Sequence, residues 1–172
     1  MAPRRGGQAG AVLSVASLER TVPQRASLLL DSSTLIAYFD KSERTARVAA
    51  AVIDGFVRSG RNTAVVSVVS ITELVVRPLR NSDVALADRI VEFFTHFPNL
   101  KLGGVDLPVA REAGLLRARL GLGSPDALIL ATGLVGGCRH VVANDRAWST
   151  KFSTAGSAAA FVLLDDHLPF PA

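Results

Sequence analysis

The feature that most constrains this chain is a short apolar run that stops on a charge. Leu28-Leu29-Leu30 is followed at once by Asp31 and then by Ser32-Ser33-Thr34. Three consecutive leucines have the unbroken hydrophobicity of a strand buried on both faces, as strands inside parallel sheets are. A carboxylate at the end of such a strand sits at the edge of an apolar layer. That is a costly place for a charge unless a cation or hydrogen-bond donors meet it. In open α/β sheets, ligands bind outside the carboxyl ends of the strands. The question is what the rest of the chain brings there.

The pattern recurs near the other end, where His140-Val141-Val142-Ala143 is followed by Asn144-Asp145. Further strand-like runs at 63–67, 100–105 and 161–164 alternate with segments of helical spacing. Residues 32–39 predict a short helix. A longer one opens at Ser42-Glu43, with Val48, Val52, Ile53, Phe56 and Val57 on one face and Gly60 as its stop. Residues 70–79 are predicted helical up to about Pro78. Asn81 or Ser82 caps a helix carrying Leu86, Ile90, Phe93, Phe94 and Phe97. Asp106 caps another, with Pro108 in its first turn and Gly121 at its end, and Ser124-Pro125-Asp126 opens one that runs to Gly136-Gly137. Strands alternating with helices predict an α/β fold: a single domain with a mostly parallel central sheet and helices on both faces.

Composition narrows the function classes. At 172 residues, 49% hydrophobic and 20% charged, the chain is long enough and apolar enough for one well-packed domain. No apolar run approaches the roughly 18 residues of a membrane span, and 11–18 is too short and interrupted for a signal sequence. The lone Cys138 excludes an internal disulfide and fits a reducing compartment, so a cytoplasmic location is expected. Arg4, Arg5, Arg20 and Arg25 against Glu19 give residues 1–25 a net +3 of the total +4, leaving +1 for 26–172. Charge therefore permits a nucleic-acid partner without arguing for one. Residues 1–25 are expected to be a flexible basic extension, and 26–172 the folded domain.

Two further acids join Asp31 and Asp145. Glu73 and Asp126 are expected in the first turns of helices, where the helix dipole favours an ionised carboxylate. If the strands of Asp31 and Asp145 are neighbours, all four acids gather at one end of the sheet. The usual resolution of such crowding is a hard divalent cation, Mg²⁺ or Mn²⁺, which takes oxygen ligands and assists phosphodiester hydrolysis. Each acid also has a plainer role. Ser70-Ile71-Thr72-Glu73 is a capping-box pattern, Ser-Pro-Asp126 an ordinary helix start, Asp31 a helix cap, and Asn144-Asp145 turn chemistry. Arg117, Arg119 and Arg146, close in sequence to these acids, are candidate phosphate contacts or simply solvated arginines. His96, His140 and His167 lack metal-ligand spacing and any nucleophile-triad order.

Four segments together resemble the PIN-domain nucleases, most closely the VapC-type toxins. They are Leu-Leu-Leu-Asp31-Ser-Ser-Thr-Leu-Ile, Val-Ser-Val-Val-Ser-Ile-Thr-Glu73-Leu, Ser-Pro-Asp126-Ala-Leu-Ile-Leu-Ala-Thr and Val-Val-Ala-Asn-Asp145-Arg. The resemblance implies a PIN-like domain over 26–172 acting as a Mg²⁺- or Mn²⁺-dependent endoribonuclease. It also implies a homodimer restrained by a cognate antitoxin, with no membrane role. Asp31, Glu73, Asp126 and Asp145 would be the catalytic, metal-holding set, with Ser33 and Asn144 in support. One departure stands out: where the family commonly has Thr two residues before the last Asp, this chain has Ala143, so a positioning hydroxyl is missing. Within the nuclease reading, a toxin and a PIN-fold RNA-processing enzyme both stay open, and two further readings compete. A phosphatase with an Asp nucleophile would want a second Asp at 33, where Ser33 stands. A PIN-like binding module without activity would fit the missing hydroxyl, and the presence of all four acids speaks against it.

Overall fold

The computed structural model describes residues 15–154 and 159–169. Five strands form one sheet in the order β3-β2-β1-β4-β5, every described pairing parallel. They are β1 (Ser27–Leu30), β2 (Thr63–Ser67), β3 (Leu100–Gly103), β4 (His140–Ala143) and β5 (Ala160–Leu163). β1 lies in the middle, with Leu28 beside His140 and Leu30 beside Val142 on β4. The backbone N–H of Asp31 still donates to Val142 O at 3.0 Å, so the ends of β1 and β4 are held side by side.

The period of two along a strand sorts the β1 leucines onto opposite faces. Leu28 and Leu30 join one core with Val66, Val142 and Val162. That face is covered by α1 (15–21), α2 (Ser32–Phe39), α3 (Ala46–Ala50), α4 (Val68–Arg80) and α5 (Val84–His96). Leu29 joins the other core with Val65 and Val141, under α6 (Leu107–Leu120), α7 (Ser124–Val135) and Trp148 of α8 (Arg146–Thr154). All three leucines are 0% exposed. Unbroken hydrophobicity was the signature of this two-sided burial. Among the described residues no helix is long and apolar enough to cross a membrane.

Several boundaries differ from the sequence expectation, each for a local reason. The folded unit starts before Ala26: residues 15–21 are helical, and Leu18 and Val22 are completely buried in the first core. The Arg61 guanidinium donates to Val22 O at 2.8 Å, and the Asn62 amide to Pro23 O and Ala26 O at 2.8 and 3.0 Å. Residues 1–14 of the expected extension lie outside the described residues. The helix expected from Ser42-Glu43 starts at Ala46 instead, because Asp40 Oδ1 accepts from both N–H and Oγ of Ser42 and closes a turn there. It continues from Ala51 to Arg58 as a π-helix. Ser67, not Ser70, caps α4, accepting from Val69 N–H; the expected capping box is therefore not formed, and Glu73 lies beyond the first turn. Asp83, not Asn81 or Ser82, caps α5, and β5 begins one residue earlier than expected.

α7 lies unusually close to the sheet. A Cβ built on Gly133 would stand 2.8 Å from Cβ of Leu29 and 2.7 Å from its Cδ2. Gly133→Ala should thus overpack the α7–β1 contact and lower stability by about 1–3 kcal/mol, read as a lower midpoint in urea unfolding. A midpoint at or above wild type would show that the helix recoils without cost.

Candidate active site

Asp31 ends the buried β1 and caps α2, and the same side chain does both. Its Oδ2 accepts from Ser33 N–H at 3.0 Å and Ser33 Oγ at 2.6 Å. The Ser33 hydroxyl in turn accepts from Asn144 N–H at 2.9 Å. Thr34 Oγ1 donates to Val142 O at 2.8 Å beneath this bridge. One hydroxyl therefore joins the acid after β1 to the chain just before Asp145, which makes the sheet adjacency of the two acids a direct hydrogen-bonded link.

Asp31 is only 3% exposed, and among the described residues no lysine or arginine pairs with it. Burial pushes its carboxyl above the usual carboxylate range; the Ser33 bonds oppose that shift, and the negative charge of Glu73 adds to it. Its recorded charged neighbour is thus another acid. Glu73 sits exposed on α4, which packs against α2. Asp126 occupies the first turn of α7, half-buried behind Gly123. Further along α7, Thr132 Oγ1 lies 3.1 Å from Ser67 Oγ at the carboxyl end of β2, and Gly133 reaches mid-strand Leu29. α7 therefore descends from the carboxyl edge, with Asp126 at its upper end. Asp145, half-buried, accepts from Ala147 N–H at 2.7 Å and so also caps α8.

Asp31 and Asp145 follow the adjacent carboxyl ends of β1 and β4, Asp126 opens α7, and Glu73 lies on α4. They do not close on a single point: among the described residues no group of three His, Cys, Asp or Glu stands close enough to hold one ion. Glu73 is carried past the first turn by the earlier start of α4, and one oxygen of Asp145 is turned into its cap. By donor type the edge suits a hard divalent cation. It offers carboxylate oxygens without cationic partners, and the buried Oδ1 of Asn144 has no hydrogen-bond partner. Asp31 with Glu73 is the pair best set to receive one, and Asn144 and Asp145 lie across the Ser33 bridge. Ala143 turns its methyl into the α6–α7 core, completely buried.

Arg117 and Arg119 are exposed in the last turn of α6. Arg146 bonds to Asp166, an acid that, with Asp165, the sequence pattern left unassigned. Both belong to the 3-10 turn Leu164–His167 after β5, and the only signal for them was their position directly past an apolar strand. Trp148 is buried as an anchor, and Cys138 packs in the second core beside Ser27 Oγ. Next to Glu73 a groove of about 590 Å³ opens between α2, α4 and α5, lined by Ile36, Phe39, Leu74, Pro78, Leu86 and Ile90.

A parallel five-stranded sheet with acids on its carboxyl edge defines a class of α/β proteins whose chemistry lies in that crevice. The family model for the PIN domain matches residues 28–151, and the chain belongs to this family. The curated proteins compared give no match to it. Among solved structures it is similar to VapBC2 from Rickettsia felis, crystallised with a DNA fragment from its promoter; identity is 15%, with 80% of this chain and 98% of that one covered at a TM-score of 0.58. It is similar to VapC20 from Mycobacterium tuberculosis, described as a sarcin-ricin-loop-cleaving toxin, at 14% identity, 73% and 94% coverage and TM-score 0.59. FitAcB from Neisseria gonorrhoeae aligns at 17% identity, 80% and 97% coverage and TM-score 0.59.

The raised proton affinity of Asp31 has a measurable sign. In the window between the ordinary carboxylate range and the raised value, the folded chain holds a proton that the unfolded chain has lost. Stability is therefore greater on the acid side and falls as pH rises through that window. Asparagine keeps the cap acceptor and removes the charge. With chelator present, Asp31→Asn should resist urea better than wild type at about pH 7, the gap closing towards about pH 4 where the unfolded carboxyl is protonated. Destabilisation at neutral pH would mark Asp31 as a structural acid.

Proposed function

We propose that this chain is a divalent-metal-dependent endoribonuclease that hydrolyses RNA phosphodiesters, the toxin of a toxin–antitoxin pair acting in the cytoplasm. The observation that carries this reading is Asp31: a buried carboxylate at a strand's carboxyl end, without a cationic partner and facing a second acid. Asp31 and Glu73 would hold Mg²⁺ or Mn²⁺, with Asp126 and Asp145 completing the set from the flanking helix starts. Such an ion, when bound, stabilises negative charge on a phosphodiester and activates water. The chain's own part is positional. Ser33 holds Asp31 in one rotamer and ties it to the Asp145 loop, while the apolar cores on both sides keep the strand ends from shifting. Arg117, Arg119 and Arg146 are the cations available for phosphates.

The antitoxin proposal draws on the apolar groove beside Glu73, whose size and lining suit the apolar face of an amphipathic helix. It also draws on the fold likeness to toxin–antitoxin complexes, among them one from Klebsiella pneumoniae at 18% identity and TM-score 0.58. A homodimer is proposed on the same likeness. A PIN-fold binding module without turnover is the competing reading, favoured by the open spacing of the acids.

Incubation of labelled RNA with the full chain separates the two. Wild type should cleave with Mg²⁺ or Mn²⁺ and stop with chelator. Asp31→Asn should fall to background while keeping its fold by circular dichroism. Identical behaviour of wild type and Asp31→Asn would refute the nuclease reading, and cleavage insensitive to chelator would refute the metal.

A further inference from the structure

The acid-lined edge is flanked by arginines, and two of them are held by acids outside the predicted set. Arg146, next to Asp145 and first in α8, gives its Nη2 to Asp166 Oδ1. Arg44, in the turn before α3, bonds Asp165 Oδ2 at 2.7 Å. Both acids lie on the single turn Leu164–His167. Leu164, 0% exposed, and His167, 4% exposed, anchor the backbone of that turn, and with it the two acids it carries.

The Arg146–Asp166 pair is solvent-exposed on both sides, 64% and 51%. Exposed pairs of this kind contribute little, on the order of 0.2–1 kcal/mol. A backbone phosphodiester offers a guanidinium the same bidentate acceptor geometry as a carboxylate, and a nucleic acid presents many of them in a row. A polyanion arriving at the edge therefore meets a cation that is tethered cheaply, one residue from Asp145.

Resting on the RNA-cleavage reading above, we infer that Asp166 sets the affinity for RNA by holding Arg146 in reserve. In the free protein the guanidinium lies on Asp166; in the complex a backbone phosphate of the RNA takes it over. Arg146 is then the phosphate-binding residue and Asp166 a positioning residue that competes with substrate. Asp166 acts through its bond to Arg146, so its effect falls on binding and not on the chemical step. The exchange is built from the turn after β5, whose two acids each hold one arginine.

The test uses the full chain with Mn²⁺ and a labelled single-stranded oligoribonucleotide that wild type cleaves, with binding measured separately in chelator. Asp166→Asn should lower KM and the chelator Kd about two- to fivefold, the range an exposed pair supplies, with kcat unchanged. Arg146→Ala should weaken binding and flatten its salt dependence. In the Arg146→Ala background, Asp166→Asn should bring no further gain. Equal tightening in both backgrounds would mean diffuse repulsion by Asp166 and overturn the tether. No effect of Asp166→Asn on KM in a chain that does cleave RNA would overturn it as well. Failure of wild type to bind or cleave any RNA would instead bring down the ribonuclease reading, and the tether with it.

Discussion

The burial of one carboxylate governs this structure. Asp31 must sit where β1 ends, and β1 is the central strand, walled by apolar side chains on both faces. An acid there is tolerated only with donors at hand, and the chain supplies them from the next two residues by turning directly into a helix. Ser33 then does more than cap. Its hydroxyl donates to Asp31 and accepts from Asn144 N–H, so the two acid-bearing strand ends cannot shift independently. The remaining imbalance is electrostatic: among the described residues the carboxylate has hydrogen bonds and no counter-charge. On that imbalance rests the proposal of a cation at this edge.

What was legible in the sequence follows from how local each signal is. Strands β2 and β4, and the end of β1, were readable to the residue, because burial leaves an apolar run that polar residues end abruptly. The family was legible in the same four segments. Helix starts were less so wherever several cap-forming residues compete within a few positions. Ser67 displaced Ser70, Asp83 displaced Asn81 and Ser82, and the Asp40–Ser42 turn delayed α3. The first of these matters for function, since it moves Glu73 beyond the first turn of α4 and loosens the acid set. The Arg146–Asp166 bond joins segments twenty residues apart on either side of β5, and no periodicity or motif marks it.

One helix serves two surfaces. α4 carries Glu73 to the acid edge, and its next residue, Leu74, lines the apolar groove together with Pro78. Glu73 itself lines the groove beside Leu74, so the acid edge and the groove share one stretch of α4.

The N-terminal helix carries a consequence for where this domain ends. The family model starts at residue 28, yet Leu18 and Val22 already lie in the same core as Leu28, Leu30 and Phe56. Arg61 and Asn62, in the loop that feeds β2, fasten the segment in between by their side chains. A gene truncated at the homology boundary would therefore encode a protein with an open seam along one sheet face, the Asn62 amide and the Arg61 Nη2 left without the acceptors they have here. The family match covers residues 28–151; the packed core of this chain reaches further, to Leu18.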